Sequence, residues 1–318
     1  MTDKQINRWL RRRFSAVGWL LLLYYGLMTL TVSITSAADI AAQWLQSFAA
    51  GILDLSVDWD KINANGWGYI AAIVVAFAIL DCWKGSRFRK QEIFAKEKTM
   101  GFRTLLCFLC FCMGAQMINS LWITLLEVMM NSFGKSLMPI LESVAGDSDT
   151  FSLFLYASVL APVWEEVLFR GYVLRTLRPF GKRFAILTSA ILFGLFHGNL
   201  LQTPYALVMG LVLGYVTVEY SIGWAVLLHM FNNLVLADLL TRLTANWTEM
   251  AYGALNLLLF GGSAVISMLI LFKNRHQIRI YRASEWMDRR CLKCFFTNGG
   301  ILAMSGLMLV NMVLIILA

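Results

Sequence analysis

The sequence predicts an all-α fold, a polytopic bundle of about eight or nine transmembrane helices. Three observations carry this. Of the 318 residues, 59% are hydrophobic and only 14% are charged, whereas soluble domains carry ~25% charged residues. Apolar runs of near-spanning length follow one another, and ~20 apolar residues cross ~30 Å of hydrocarbon. Segments of ~10 residues with alternating polarity, the mark of a transmembrane barrel, do not occur. The polar stretches between runs are too short for a soluble domain, so 1–318 is expected to form a single membrane domain.

The first span is expected over residues 14–35. Arg11-Arg12-Arg13 followed by an apolar run resembles the start of a signal peptide. The run is long, however, and Ala37-Ala38-Asp39 is a weak cleavage candidate, so an uncleaved span is expected. An outer segment follows, rich in aspartate and carrying Trp44, Trp59 and Trp67, as suits an interfacial belt. Further spans are expected over 68–83, 104–130, 151–174, 184–197, 204–218, 223–240, 250–272 and 299–318. Gly210 and Gly214, four apart, have the spacing that lets membrane helices approach closely.

The net charge is +8, and all but four of the 27 Lys and Arg fall in four stretches: the N-terminus to Arg13, then 84–103, 175–183 and 273–293. Threading the spans in order places all four on one side. By the positive-inside rule that side, with the N-terminus, is cytoplasmic. Nucleic-acid binding is not expected, because these loops are short and flank membrane spans. Cys82, Cys107, Cys110 and Cys112 fall in or beside apolar runs, where a free thiol behaves as a small hydrophobe. Cys291 and Cys294 form a lone CxxC, a weak metal or redox signal.

Chemistry concentrates in the span 151–174, which holds Glu165, Glu166 and Arg170. Ionisable groups at such depth cost several kcal/mol and mark functional sites by default. Glu166 and Arg170 are four apart and can pair on one helix face. Glu165, ~100° round the helix, stays free for chemistry. Pro162, three residues earlier, removes a backbone donor and frees carbonyls. Two of the three histidines also lie in spans: His197, four after Phe193, and His229, four before Asn233. We expect Glu165, His197, His229 and Asn233 to converge on one polar cavity.

Two mechanisms suit that set. In one, Glu165 is a general base acting on water that His197 helps to orient, while His229 and Asn233 donate to a developing oxyanion. In the other, His197, His229 and Glu165 hold Zn²⁺, whose bound water ionises near pH ~7. Neither an HExxH zinc motif nor a GxSxG nucleophile elbow occurs.

The three patterns EExxxR at 165–170, FxxxH at 193–197 and HxxxN at 229–233 resemble, in order, the motifs of the CPBP family. That family comprises CAAX prenyl endopeptidases and bacterial bacteriocin-processing or self-immunity proteins. The resemblance covers about 151–240, expected to be the catalytic core. It implies an intramembrane, metalloprotease-like endopeptidase of peptide or membrane-associated protein substrates, in a membrane that is bacterial by this likeness. It also implies that Glu165, Glu166, Arg170, His197, His229 and Asn233 carry the activity. The alternatives are a non-catalytic immunity or secretion-assisting protein and a proton-coupled transporter. One detail fits poorly. The expected span limits put His229, Glu165 and His197 at ~9, ~14 and ~20 Å from the cytoplasmic edge, so span 184–197 would be tilted, or broken near Gly194.

Overall fold

The computed structural model describes residues 2–84, 93, 98–138, 141, 150–285 and 287–317, and within these the chain is mostly helical, with no strand. Most of the basic stretch 84–103 and half of the outer loop 131–150, including Pro139 and Gly146, lie outside the described residues. Seven helices are long and apolar enough to cross a bilayer. They are α1 (Asp3–Ala49), α2 (Trp67–Lys84), α3 (Phe102–Ser132), α4 (Phe151–Phe180), α7 (Ile222–Thr244), α8 (Glu249–Lys273) and α11 (Gly299–Leu317). Two more apolar helices fall short: α5 (Lys182–Phe196) has 15 residues and α6 (Thr203–Glu219) has 17. All nine expected segments are therefore helical, and seven have spanning length. Two short helices, α9 (Arg275–Ser284) and α10 (Arg289–Phe296), carry the fourth basic stretch.

Helix α1 departs from expectation. It continues through Ala37–Asp39 to Ala49, because residues 36–49 hold good helix formers and neither glycine nor proline. Its 47 residues measure ~70 Å. The chain then returns to α2 through the one-turn helix Trp59–Asn63, with Trp44 Nε1 donating to the Leu55 carbonyl at 3.1 Å and Asn65 to Asp39 at 2.8 Å.

Small residues set the closest helix crossings, since apolar burial gives helices in lipid little reason to associate. Gly18 of α1 lies on Gly300 of α11, where an added Cβ would come 2.1 Å from the Gly300 carbonyl carbon. The Gly300 amide donates to Ser15 Oγ at 3.1 Å. In the α5–α6 hairpin Gly210 sits against Ala190, so one glycine of the expected pair makes the backbone contact; Gly214 meets the Ile186 side chain instead. Helix α5 runs unbroken through Gly194, and the hairpin turn follows at His197, with Gly198 at φ +63°.

Residues from all four basic stretches meet at one end. Arg290 pairs with Asp3 at 2.9 Å, Lys182 and Lys98 both reach Glu219, and Arg183 donates to the Arg282 carbonyl at 2.7 Å. Beneath them Phe180, Phe14, Phe295 and Phe184 pack edge to face in succession, with Phe184 tilted against Phe14. Cys291 and Cys294 are buried on one face of α10, with Cys294 Sγ near Asn7. Burial, and then the Asp288 carboxylate, push the Cys291 thiol up to about 11. The CxxC is thus a packing ridge.

Candidate active site

Helix α4 alternates regular and widened turns. Residues Leu155–Leu160 and Val167–Leu174 are π-helical, and the regular turn Ala161–Glu166 between them carries both glutamates. Such widenings inside helices recur at functional sites. Here the first has a visible cause. The Ala161 amide donates to the Tyr156 carbonyl, five residues back. The next amide in register would be that of residue 162, which is proline and has none. The Ala157 carbonyl therefore loses both helical partners. Asn233 Nδ2 of α7 supplies the missing donor at 3.1 Å.

The glutamates face different surroundings. Glu166 and Arg170 have fully buried side chains, and Arg170 Nη1 lies 2.9 Å from Glu166 Oε1. His229 Nδ1 lies 2.9 Å from the same oxygen. A carboxylate only accepts, so Nδ1 carries the proton in that bond. His229 Nε2 is left facing Glu165, 3.8 Å from its Oε2. That gap exceeds a direct hydrogen bond and suits a bridging water. Glu165 keeps a third of its side chain exposed. It lies within electrostatic reach of Tyr24 and Tyr156, neither of which a motif marks.

Phe193 is the hub beneath these groups. The Arg170 guanidinium lies over its ring at 4.2 Å from the centroid. The rings of Phe169, His197 and His229 meet it edge-on at 5.1, 4.9 and 5.8 Å. His197 Nδ1 bonds the Phe193 carbonyl at 2.8 Å, which again puts the proton on Nδ1 and leaves Nε2 bare. Glu165, Glu166, Arg170 and His229 thus form one direct cluster. His197 joins it through the Phe193 ring, and Asn233 joins it through α4. Glu165 and His229, expected at different depths, lie side by side.

Asn233 departs from the simple i, i+4 picture, because Phe231–Leu239 is itself π-helical. Its Oδ1 accepts from Asn232 Nδ2 at 3.0 Å. Asn232 in turn accepts from Gln116 Nε2 of α3 at 2.8 Å and from the Tyr205 hydroxyl of α6. No motif marks Gln116, Tyr205 or Asn232. The available hint was a lone glutamine in the apolar run 104–130.

Among the described residues no group of three His, Cys, Asp or Glu is arranged to hold a metal ion. Glu165, His197 and His229 do not make that set in this conformation.

No curated protein and no solved structure matches the chain. A family model described as type II CAAX prenyl endopeptidase Rce1-like matches residues 147–235. All six motif residues fall in that segment, and of their neighbours just described only Gln116 and Tyr24 lie outside it. Over residues 147–235 the chain is similar to the type II CAAX prenyl endopeptidases, as the order of its three motifs implies.

Proposed function

We propose that this integral membrane protein is an intramembrane endopeptidase in which Glu165 activates water. The observation that carries the reading is the approach of Glu165 to His229 Nε2 at 3.8 Å, beside a buried Glu166–Arg170 pair, inside an apolar bundle. A water between the carboxylate and the imidazole loses a proton to Glu165 as its oxygen adds to the peptide carbonyl carbon. Glu165 then delivers that proton to the departing amine, so base and acid are one group used twice. Negative charge gathers on the carbonyl oxygen, and the second Nδ2 hydrogen of Asn233 is free to meet it. Glu166 fixes the tautomer of His229, and Arg170 balances the charge of Glu166. On this reading His197, whose Nδ1 is taken by the Phe193 carbonyl, uses Nε2 to orient the water. The residues as arranged do not fit a three-ligand zinc site, and no step is routed through a metal.

The substrate class is a peptide or the tail of a membrane-associated protein, cut within the bilayer, with no nucleic acid involved. The basic end, and the N-terminus with it, faces the cytoplasm by the positive-inside rule, in a membrane we take to be bacterial.

The test uses the full chain in lipid nanodiscs with two probes, a farnesylated C-terminal tetrapeptide reporter and a labelled single-span peptide. Cleavage of one of them, with one oxygen from isotopic water in the new carboxyl group, is expected. Glu165→Gln should lower the rate by ~10²–10⁴-fold while accumulating normally. A chelator such as phenanthroline should leave the rate unchanged. Recovery by added Zn²⁺ after a loss would move water activation to a metal. Intact probes, or full activity in Glu165→Gln, would sink the reading and favour an immunity protein or a transporter.

A further inference from the structure

Asn232 takes no part in the chemistry above, yet it is buried and fully engaged. The donations around it run in one direction. Gln116 Nε2 gives a hydrogen to the Tyr205 hydroxyl at 3.0 Å and another to Asn232 Oδ1 at 2.8 Å. The Tyr205 hydroxyl, having accepted from Gln116, donates to Asn232 Oδ1. Asn232 Nδ2 donates to Asn233 Oδ1 at 3.0 Å, and Asn233 Nδ2 donates to the Ala157 carbonyl at 3.1 Å. The nitrogen and oxygen of an amide are told apart only by their partners. Here the partners permit one assignment: reversing Asn232 would set its NH₂ against the Gln116 NH₂. Reversing Asn233 would set its oxygen against the Ala157 carbonyl and its NH₂ against that of Asn232.

We propose that Asn232, held by Gln116 and Tyr205, is a positioning residue that fixes the orientation of the Asn233 amide, so that Asn233 presents hydrogen rather than oxygen to the substrate carbonyl. The chain of bonds starts on α3, crosses α6 and α7, and ends on the α4 carbonyl that Pro162 leaves without a partner. Two adjacent asparagines in a hydrophobic span thereby divide one task. One donates outward, and the other determines which of its neighbour's two atoms points there. The inference rests on the proteolytic reading for its consequence, but the orientation itself can be read without any substrate.

The experiment has two arms. In the first, side-chain amide ¹⁵N–¹H resonances of Asn233 are assigned in the micellar protein and followed in Asn232→Leu. Shifted resonances, showing a released amide, are expected. Unchanged resonances would overturn the proposal whatever the chain's activity. In the second arm, Asn232→Leu, Asn233→Ala and the double variant are assayed on the cleaved probe. Asn232→Leu should lower kcat by ~10²–10³-fold, as loss of an oxyanion donor does, with KM within about twofold. The double variant should lose no more than Asn233→Ala alone, since the two act as one unit. Multiplying losses, or wild-type kcat in Asn232→Leu, would count against it. If Asn232→Leu does not accumulate, Tyr205→Phe removes one donor and keeps the ring; it should shift the same resonances and give a smaller fall in kcat. A chain that cleaves no probe defeats the proteolytic reading, and the resonance arm still judges the orientation.

Discussion

At the scale of single residues, the pairing of Glu166 with Arg170 sets the strongest energetic constraint. Both side chains are fully buried. Removing one charge from such a pair costs ~3–5 kcal/mol, because the other is left uncompensated, whereas replacing both can be close to neutral. Arg170→Met should therefore lower stability by about that amount. Glu166→Gln with Arg170→Met should recover most of it, since the glutamine oxygen still accepts from His229. Unfolding titrations in mixed micelles measure both, and equal losses in the single and double variants would contradict the pairing. Arg170→Lys should not rescue, because an ammonium lacks the planar face that lies on Phe193. Much of this cluster was legible in the sequence, since Glu166 and Arg170 obey the four-residue rule of a regular helix. Gln116, Tyr205 and Asn232 were not. Gln116 and Asn232 are 116 positions apart, and only the tertiary fold brings them within 2.8 Å.

At the scale of elements, the sequence located every apolar helix but misjudged where some stop and how they turn. Apolar runs by themselves predict a 3.6-residue period throughout. Among the described residues four segments of five residues or more widen instead, two of them on either side of the glutamates. Pro162 signals the first widening; the other three have no comparable mark. Glycine contacts were legible only in part. The Gly210–Gly214 spacing stands out by eye, but the tighter crossing joins Gly18 to Gly300, which no short motif links. Gly18→Ala should cost ~1–3 kcal/mol or more by forcing α1 off α11. Gly26→Ala, on the same helix with nothing within 4 Å, should change stability by no more than ~0.5 kcal/mol. The same unfolding titration compares them, and equal effects would refute the close crossing.

At the scale of the whole molecule, charge and length organise the bundle. The four basic stretches were expected on one side from the order of spans alone, and residues from all four meet there: Arg290 on Asp3 of the N-terminal stretch, Lys98 and Lys182 on Glu219, and Arg183 on the Arg282 carbonyl. A fluorescent protein fused before residue 1 should therefore glow in the cytoplasm, and alkaline phosphatase fused after Leu55 should be active outside. The reverse pattern would invert the proposed orientation. Length has a further effect. Helices α5 and α6 measure ~22 and ~25 Å, against ~30 Å of hydrocarbon. Their turn, at His197 to Gln202, is covered by protein: Leu201 is buried beside Leu126 and Leu137, and Trp122 Nε1 bonds the Leu200 carbonyl. The short hairpin that carries His197 is thus moored at its tip by α3, a helix that contributes none of the three motifs.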